Sequence, residues 1–223
     1  MSEGEAREKN FIVGIFGENF EYRNLIGQAF GSPEDKSDIM FYNRLDANMG
    51  HVFTVLASTD YPEKLKPFLQ TLVITKIHLL VIDLDVGLNG AIGEILVGMD
   101  LFHQLFETRD LVVIANITPK SEWKLPEAKK KIESILKTTS IKGTEVFELK
   151  NKDDYDKLKK KVADLGLTIP EEDVEKAPYA KVLIDHAFLV KGIGTVILGI
   201  VKKGTVNTGQ MMELIGNNSP GKK

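Results

Sequence analysis

The feature that most constrains this chain is an alternation. Short apolar runs rich in β-branched and aromatic residues recur between longer stretches of helical spacing. The runs lie at residues 11–16 (FIVGIF), 51–58 (HVFTVLAS), 77–83 (IHLLVID), 111–117 (LVVIANI) and 144–149 (TEVFEL), each of strand length. Helices are predicted over 63–73, behind Pro62, and over 90–106, where Ile92, Ile95, Leu96, Met99, Leu101 and Phe102 keep helical spacing. Two more are predicted over 127–137, after Pro126, a favoured first-turn residue, and over 153–165, where Leu158, Val162 and Leu165 form one stripe. Strands alternating with helices imply an α/β fold with a mostly parallel sheet covered on both faces and right-handed crossovers. The first run leads through Gly17 into an amphipathic stretch, VGIFGENFEYRNLIGQAF, the layout of a strand, a phosphate-holding loop and a helix.

Composition sets outer limits. The 223 residues are 43% hydrophobic and 27% charged with a net charge of −3, the profile of an ordinary soluble globular chain. A chain of this size buries about 70% of its unfolded surface, which leads to the expectation of one large domain, or one domain plus a small appendage. There is no Cys, so disulfides, thiolate metal sites and a Cys nucleophile are excluded and a reducing, cytoplasmic location is the expectation. His51, His78, His103 and His186 are well separated and show no metal-ligand spacing. The start, MSEGEAREKN, has no apolar core, and no run approaches the roughly 20 apolar residues of a membrane span. Near-neutral charge argues against a duplex-DNA coat. The lysine clusters 129–131 and 159–161 read as solvated helix faces that also carry acids.

Residues 166–178, GLTIPEEDVEKAP, break the pattern with Gly, two Pro and an acidic run, and read as a linker. After it the texture changes. Short β-rich runs are punctuated by Gly192, Gly194, Gly199, Gly204 and Gly209, which suggests consecutive antiparallel strands of a small barrel. Three blocks carry more than that: a turn at IDHAF (184–188), then KGIGTVILGIVKKGTV (191–206), then TGQMMEL (208–214). Together they resemble the opening of the second domain of translational GTPases of the elongation factor Tu, elongation factor 1-alpha and selenocysteine-specific factor group. The segment KSDIMFYNR (36–44) resembles archaeal selenocysteine-factor-like proteins with eroded phosphate loops.

The resemblance implies a GTPase-like domain over 1–165, a linker over 166–178 and the start of a domain-2-type barrel over 179–223. Its phosphate loop, G-x-x-x-x-G-K-[ST], falls on Gly17, with Tyr22 at the second Gly, Arg23 at the Lys and Asn24 at the Ser/Thr. A Tyr lacks the backbone freedom of Gly, Arg lacks the compact ammonium of Lys, and Asn offers a neutral carbonyl oxygen in place of a magnesium-binding hydroxyl. The Asp-x-x-Gly segment falls on LASTDYP, putting Leu56 at the Asp, Thr59 at the Gly and Asp60 at the following water-positioning His. The guanine-reading Asn-Lys-x-Asp falls on ANITPK: Asn116 survives, Ile117 replaces the Lys and Pro119 the Asp. FELKNK stands where Ser-Ala-Lys is expected.

Phosphoryl transfer is catalysed almost wholly by positioning and electrostatics, so losing these groups together removes the means of catalysis. The expectation is a non-hydrolysing domain with no catalytic residue, no metal and no cofactor, in which Gly17, Arg23, Asn24 and Asn116 are a nucleotide-site remnant. Its implied partners are tRNA, the ribosome or a translation-related protein, with no membrane and no DNA. Two alternatives stay open: an active GTPase with atypical motifs, binding GTP or GDP with magnesium, and a regulatory module outside translation. GLNGAIGE (87–94) reads as a turn into a helix rather than a dinucleotide loop, Asp83 and Asp85 as loop-capping acids, His186 as structural, and Phe68, Phe102 and Phe106 as core. Only 45 residues follow Pro178, too few for a whole barrel of that type, so either the chain is a fragment or a partner completes the sheet.

Overall fold

In the computed structural model, residues 9–33, 38–47, 49–170 and 178–216 are described. The apolar runs form the middle of a seven-stranded sheet. Its strands are β1 (Lys9–Phe16), β2 (Ser32–Pro33), β3 (Ile39–Asp46), β4 (His51–Ser58), β5 (Ile77–Asp83), β6 (Arg109–Ala115) and β7 (Glu145–Glu148), in the spatial order β2-β3-β4-β1-β5-β6-β7. The five strands from β4 to β7 are parallel, while β2 and β3 add an antiparallel edge. Strands β2 and β3 are not among the five apolar runs. For β3 the signal was an alternation in which Met40 and Tyr42 face inward.

Period-two alternation sends each strand's side chains to opposite faces. Val13, Ile15, Ile77, Leu79, Val81, Leu111 and Val113 pack on one face against Ile26 and Phe30 of helix α1 (Phe20–Phe30) and Leu158 and Val162 of helix α5 (Asp153–Leu167). Leu80, Ile82, Val112 and Ile114 pack on the other. Their partners are Phe68 and Leu72 of α2 (Leu65–Ile74), Ile95 and Met99 of α3 (Gly90–Phe106), and Ile132 and Leu136 of α4 (Leu125–Leu136). Central strands are therefore apolar on both sides, as a covered parallel sheet requires.

Local signals set the helix ends. The Asn89 side chain accepts the Ile92 N–H and caps α3, and Glu107 closes that helix in the left-handed conformation. A 3-10 turn, Glu122–Lys124, runs into α4, so that helix begins at Leu125, ahead of its expected start at 127, with Pro126 in its first turn. Phe68 and Phe102 are core, and Phe106 stacks on Phe102 at 5.7 Å.

The chain clusters into two units, residues 1–169 and 170–223. The linker was expected to begin at Gly166, but α5 runs on through Leu167, and Gly166 within it packs against the Phe11 ring, where a β-carbon would come within 2.4 Å. Most of the acidic run, 171–177, lies outside the described residues. In the second unit, β8 (Lys181–Val190) and β9 (Gly194–Lys203) form an antiparallel hairpin. The expected IDHAF turn is instead part of β8: a register shift between Ile184 and His186 absorbs it as a bulge. The turn falls at residues 191–193, where Gly192 has positive φ, as does Gly194 at the start of β9. Among the described residues no helix is long and apolar enough to cross a membrane, and no group of three or more potential ligands could hold a metal ion.

Candidate functional site

The C-terminal ends of parallel strands are where a fold of this type places its ligand loops. Here β1 ends at Phe16 and α1 begins at Phe20, so Gly17, Glu18 and Asn19 alone form the connection. Asn19 caps the helix: its Oδ1 accepts the Glu21 N–H at 2.9 Å. Tyr22, Arg23 and Asn24 consequently lie inside α1, and three residues of backbone alone separate it from β1. Gly17 has a packing reason to be glycine, since a β-carbon there would meet the Val81 carbonyl oxygen at 2.6 Å.

Arg23 turns inward and is only 1% exposed. One terminal nitrogen donates to the Gly17 carbonyl and, at 3.5 Å, reaches that of Glu18. The other donates to the Ser58 carbonyl at 3.1 Å and reaches that of Thr59 at 3.5 Å. Phe20 lies under the guanidinium at 5.6 Å. Burial lowers the Arg23 pKa to about 10, so the group is still a cation at neutral pH. Its charge faces backbone carbonyls of two separate segments.

Asn24 is engaged elsewhere. Its Oδ1 accepts the Tyr42 hydroxyl at 2.8 Å, and Tyr42 is wholly buried in β3. Asn116 follows β6 in the left-handed region at φ 58°. Its amide donates to Asp83 at 2.9 Å and Asp85 at 3.2 Å, and its carbonyl accepts from the Ser121 hydroxyl at 2.9 Å. Asp83 also accepts the Asn19 amide at 3.3 Å and the Asp85 N–H at 2.9 Å. The Asp83 carboxylate thus ties the ends of β1, β5 and β6 together, which is the capping role expected of it. Its reach to Asn19 was missed; an Asn just ahead of a helix was the available signal.

Of the four residues singled out, Gly17 and Arg23 are in direct contact. Asn116 joins them through Asp83 and Asn19, and Asn24 faces β3. Beside them is a cavity of about 250 Å³ lined by Glu18, Asn19, Asp83, Val86, Gly87 and Ile92. Two carboxylates and no cation line it. Glu18 also accepts the Asn89 amide. Burial, then Asp83, Glu21 and Asp85, push the Tyr22 phenol upward.

The other motif positions are built into the fold. Leu56 is buried inside β4 opposite Gly14 and Phe41. Thr59 donates from its N–H and hydroxyl to the Asp38 carbonyl at 2.9 and 3.2 Å, and Lys64 bridges Asp60 at 2.7 Å and Asp38 at 2.9 Å. The lysine clusters are laced with acids: Lys129 with Glu148, Lys131 with Glu127, Lys159 with Asp156 and Lys161 with Glu145.

No protein-family model matches the chain. The chain is similar to an uncharacterised protein of Methanocaldococcus jannaschii, 26% identical over 204 residues, 89% of this chain and 54% of that protein. It is also similar to the selenocysteine-specific elongation factor of the same organism, 30% identical over 145 residues, 63% of this chain and 29% of the factor. Its fold matches elongation factor SelB of Methanococcus maripaludis in complex with the GTP analogue GppNHp, with a TM-score of 0.70 at 24% identity, covering 90% of this chain and 43% of that one. A bacterial selenocysteine-specific factor matches at a TM-score of 0.69 and 15% identity, covering 88% and 35%. The chain thus has the α/β fold with further antiparallel strands seen in SelB, and it spans about half or less of each of these relatives.

Proposed function

We propose that this protein is a translation-factor-like binding protein whose counterpart of the nucleotide site is filled by its own side chains, and that it acts as a scaffold without hydrolysing GTP. The observation that carries the reading is Arg23. A cation that would have to face phosphate faces the carbonyls of Gly17 and Ser58 instead. The remaining groups do not suit a magnesium-bound guanine nucleotide. Asn24 is held by Tyr42, Asn116 is held by two aspartates, and the adjoining cavity presents carboxylates to an incoming polyanion. A designed bidentate contact, once lost, lowers discrimination by roughly 10⁴-fold, and Pro119 offers guanine no side-chain acceptor.

The sequence and fold similarity to selenocysteine-specific factors supports a role in or near translation in the cytoplasm, with tRNA, the ribosome or a translation-related protein as the partner. Calorimetric titration with GTP, GDP and ATP in magnesium is the deciding test, and no saturable heat is expected. Saturable micromolar binding overturns the reading. So does magnesium-dependent hydrolysis above the background of a Gly17→Ala, Arg23→Ala double variant. Co-sedimentation with ribosomes separates a role in translation from a regulatory role outside it.

A further inference from the structure

We infer that Arg23 is an internal latch: its guanidinium holds the Gly17–Asn19 turn and the β4–α2 connection, residues 59–64, in one arrangement that needs no ligand. The inference stands on geometry and not on the proposed function. The carbonyls of Gly17 and Ser58 that share this guanidinium belong to segments far apart in sequence, the Arg23–Ser58 bond spanning 35 residues. Each is an acceptor, so these two carbonyls, beyond the last residues that β1 and β4 pair with each other, need a donor between them. Arg suits the task because its planar fork carries several N–H groups in fixed directions, which a lysine does not.

The same connection is held from outside as well. Thr59 and Lys64 bond to Asp38 at the entry to β3, and the buried Tyr61 donates to the Ala91 carbonyl of α3 at 3.1 Å. Arg23 is the strut on its inner side. The carbonyl cluster is accordingly a site for a guanidinium ion, the reverse in polarity of a phosphate loop, whose backbone N–H groups point at the ligand.

Chemical rescue of the full chain tests this. In Arg23→Ala, native-state hydrogen exchange within 59–64, read at the Thr59 and Lys64 amides that bond the Asp38 and Asp60 carbonyls, is expected to rise about tenfold or more while α4 is unchanged. Millimolar methylguanidinium is expected to restore the protection, and equimolar methylammonium, sodium chloride, pyrophosphate or magnesium–GTP is not. Unchanged exchange in 59–64, a uniform rise across both sheet faces, or equal rescue by methylammonium overturns the latch. Should Arg23→Ala not fold, Arg23→Lys is expected to fold with partial loss of protection confined to 59–64, and full protection there overturns the idea. Nucleotide binding by the native chain would sink the proposed function and leave this result standing.

Discussion

Gly27 sits in the middle of α1, where glycine costs helix stability, and contact explains it. A β-carbon there would meet the ring of buried Tyr42 at 2.5 Å, and that ring is held by its bond to Asn24. Gly27→Ala is expected to cost about 1–3 kcal/mol through overpacking, whereas Gly93→Ala in α3, where nothing lies within 4 Å, should stabilise by up to about 1 kcal/mol. Urea midpoints of the two variants read out the contrast, and equal effects would remove the packing explanation. Asn116 gives a second case. Its positive φ and its bonds to Asp83 and Asp85 make it a structural pin. Asn116→Gly keeps the backbone conformation and loses only the side-chain bonds to Asp83 and Asp85; Asn116→Ala loses the same bonds and adds strain of order 1 kcal/mol at positive φ. The alanine variant should therefore unfold at lower urea than the glycine variant. If instead both shift alike, the strain at φ 58° is not what holds the residue.

Among the elements, α5 shows how a polar group fixes a helix start. The Asp154 carboxylate accepts the N–H groups of Lys150 and Asn151, both at 3.0 Å, and the Lys157 ammonium at 2.8 Å. Lys157 first, and then those two backbone bonds, hold its pKa below the ordinary aspartate value. A depressed folded-state pKa means stability that is complete above the unfolded value and lost as pH falls through the folded one. Asp154→Asn should therefore cost about 1 kcal/mol near neutrality, and the gap between variant and parent should close on acidification below the usual carboxylate range. A gap independent of pH would refute the charge-based account. Elements of this kind were legible to different degrees. The central strands and α3 could be read because their apolar side chains follow period two or helical spacing with strong caps. Strand β3 gives a weak sequence signal because it buries only Met40 and Tyr42 at one edge, and IDHAF reads as a turn because a bulge disguises the strand's period. At the site, the identities of Gly17, Arg23, Asn24 and Asn116 were readable. The direction of Arg23 was not, because Ser58 reaches it only when β4 pairs beside β1.

At the scale of the molecule, the two units differ in what holds them. Unit 1 has a sheet buried on both faces by two apolar clusters, so its opening free energy approaches that of global unfolding. Unit 2, among its described residues, has one hairpin, and a two-stranded hairpin is marginal in water. Among its described residues Leu189 is 84% exposed, Ile193 77% and Ile197 50%, and burial of these side chains does not oppose fraying. Trypsin should therefore cut first at Lys181, Lys191, Lys202 or Lys203, leaving a product that retains 9–169. That product should unfold in a single cooperative transition with a Tm close to that of the intact chain, since both clusters lie within it. Cleavage in unit 1 at a comparable rate, or a product with no cooperative transition, would show that the sheet's stability is not its own.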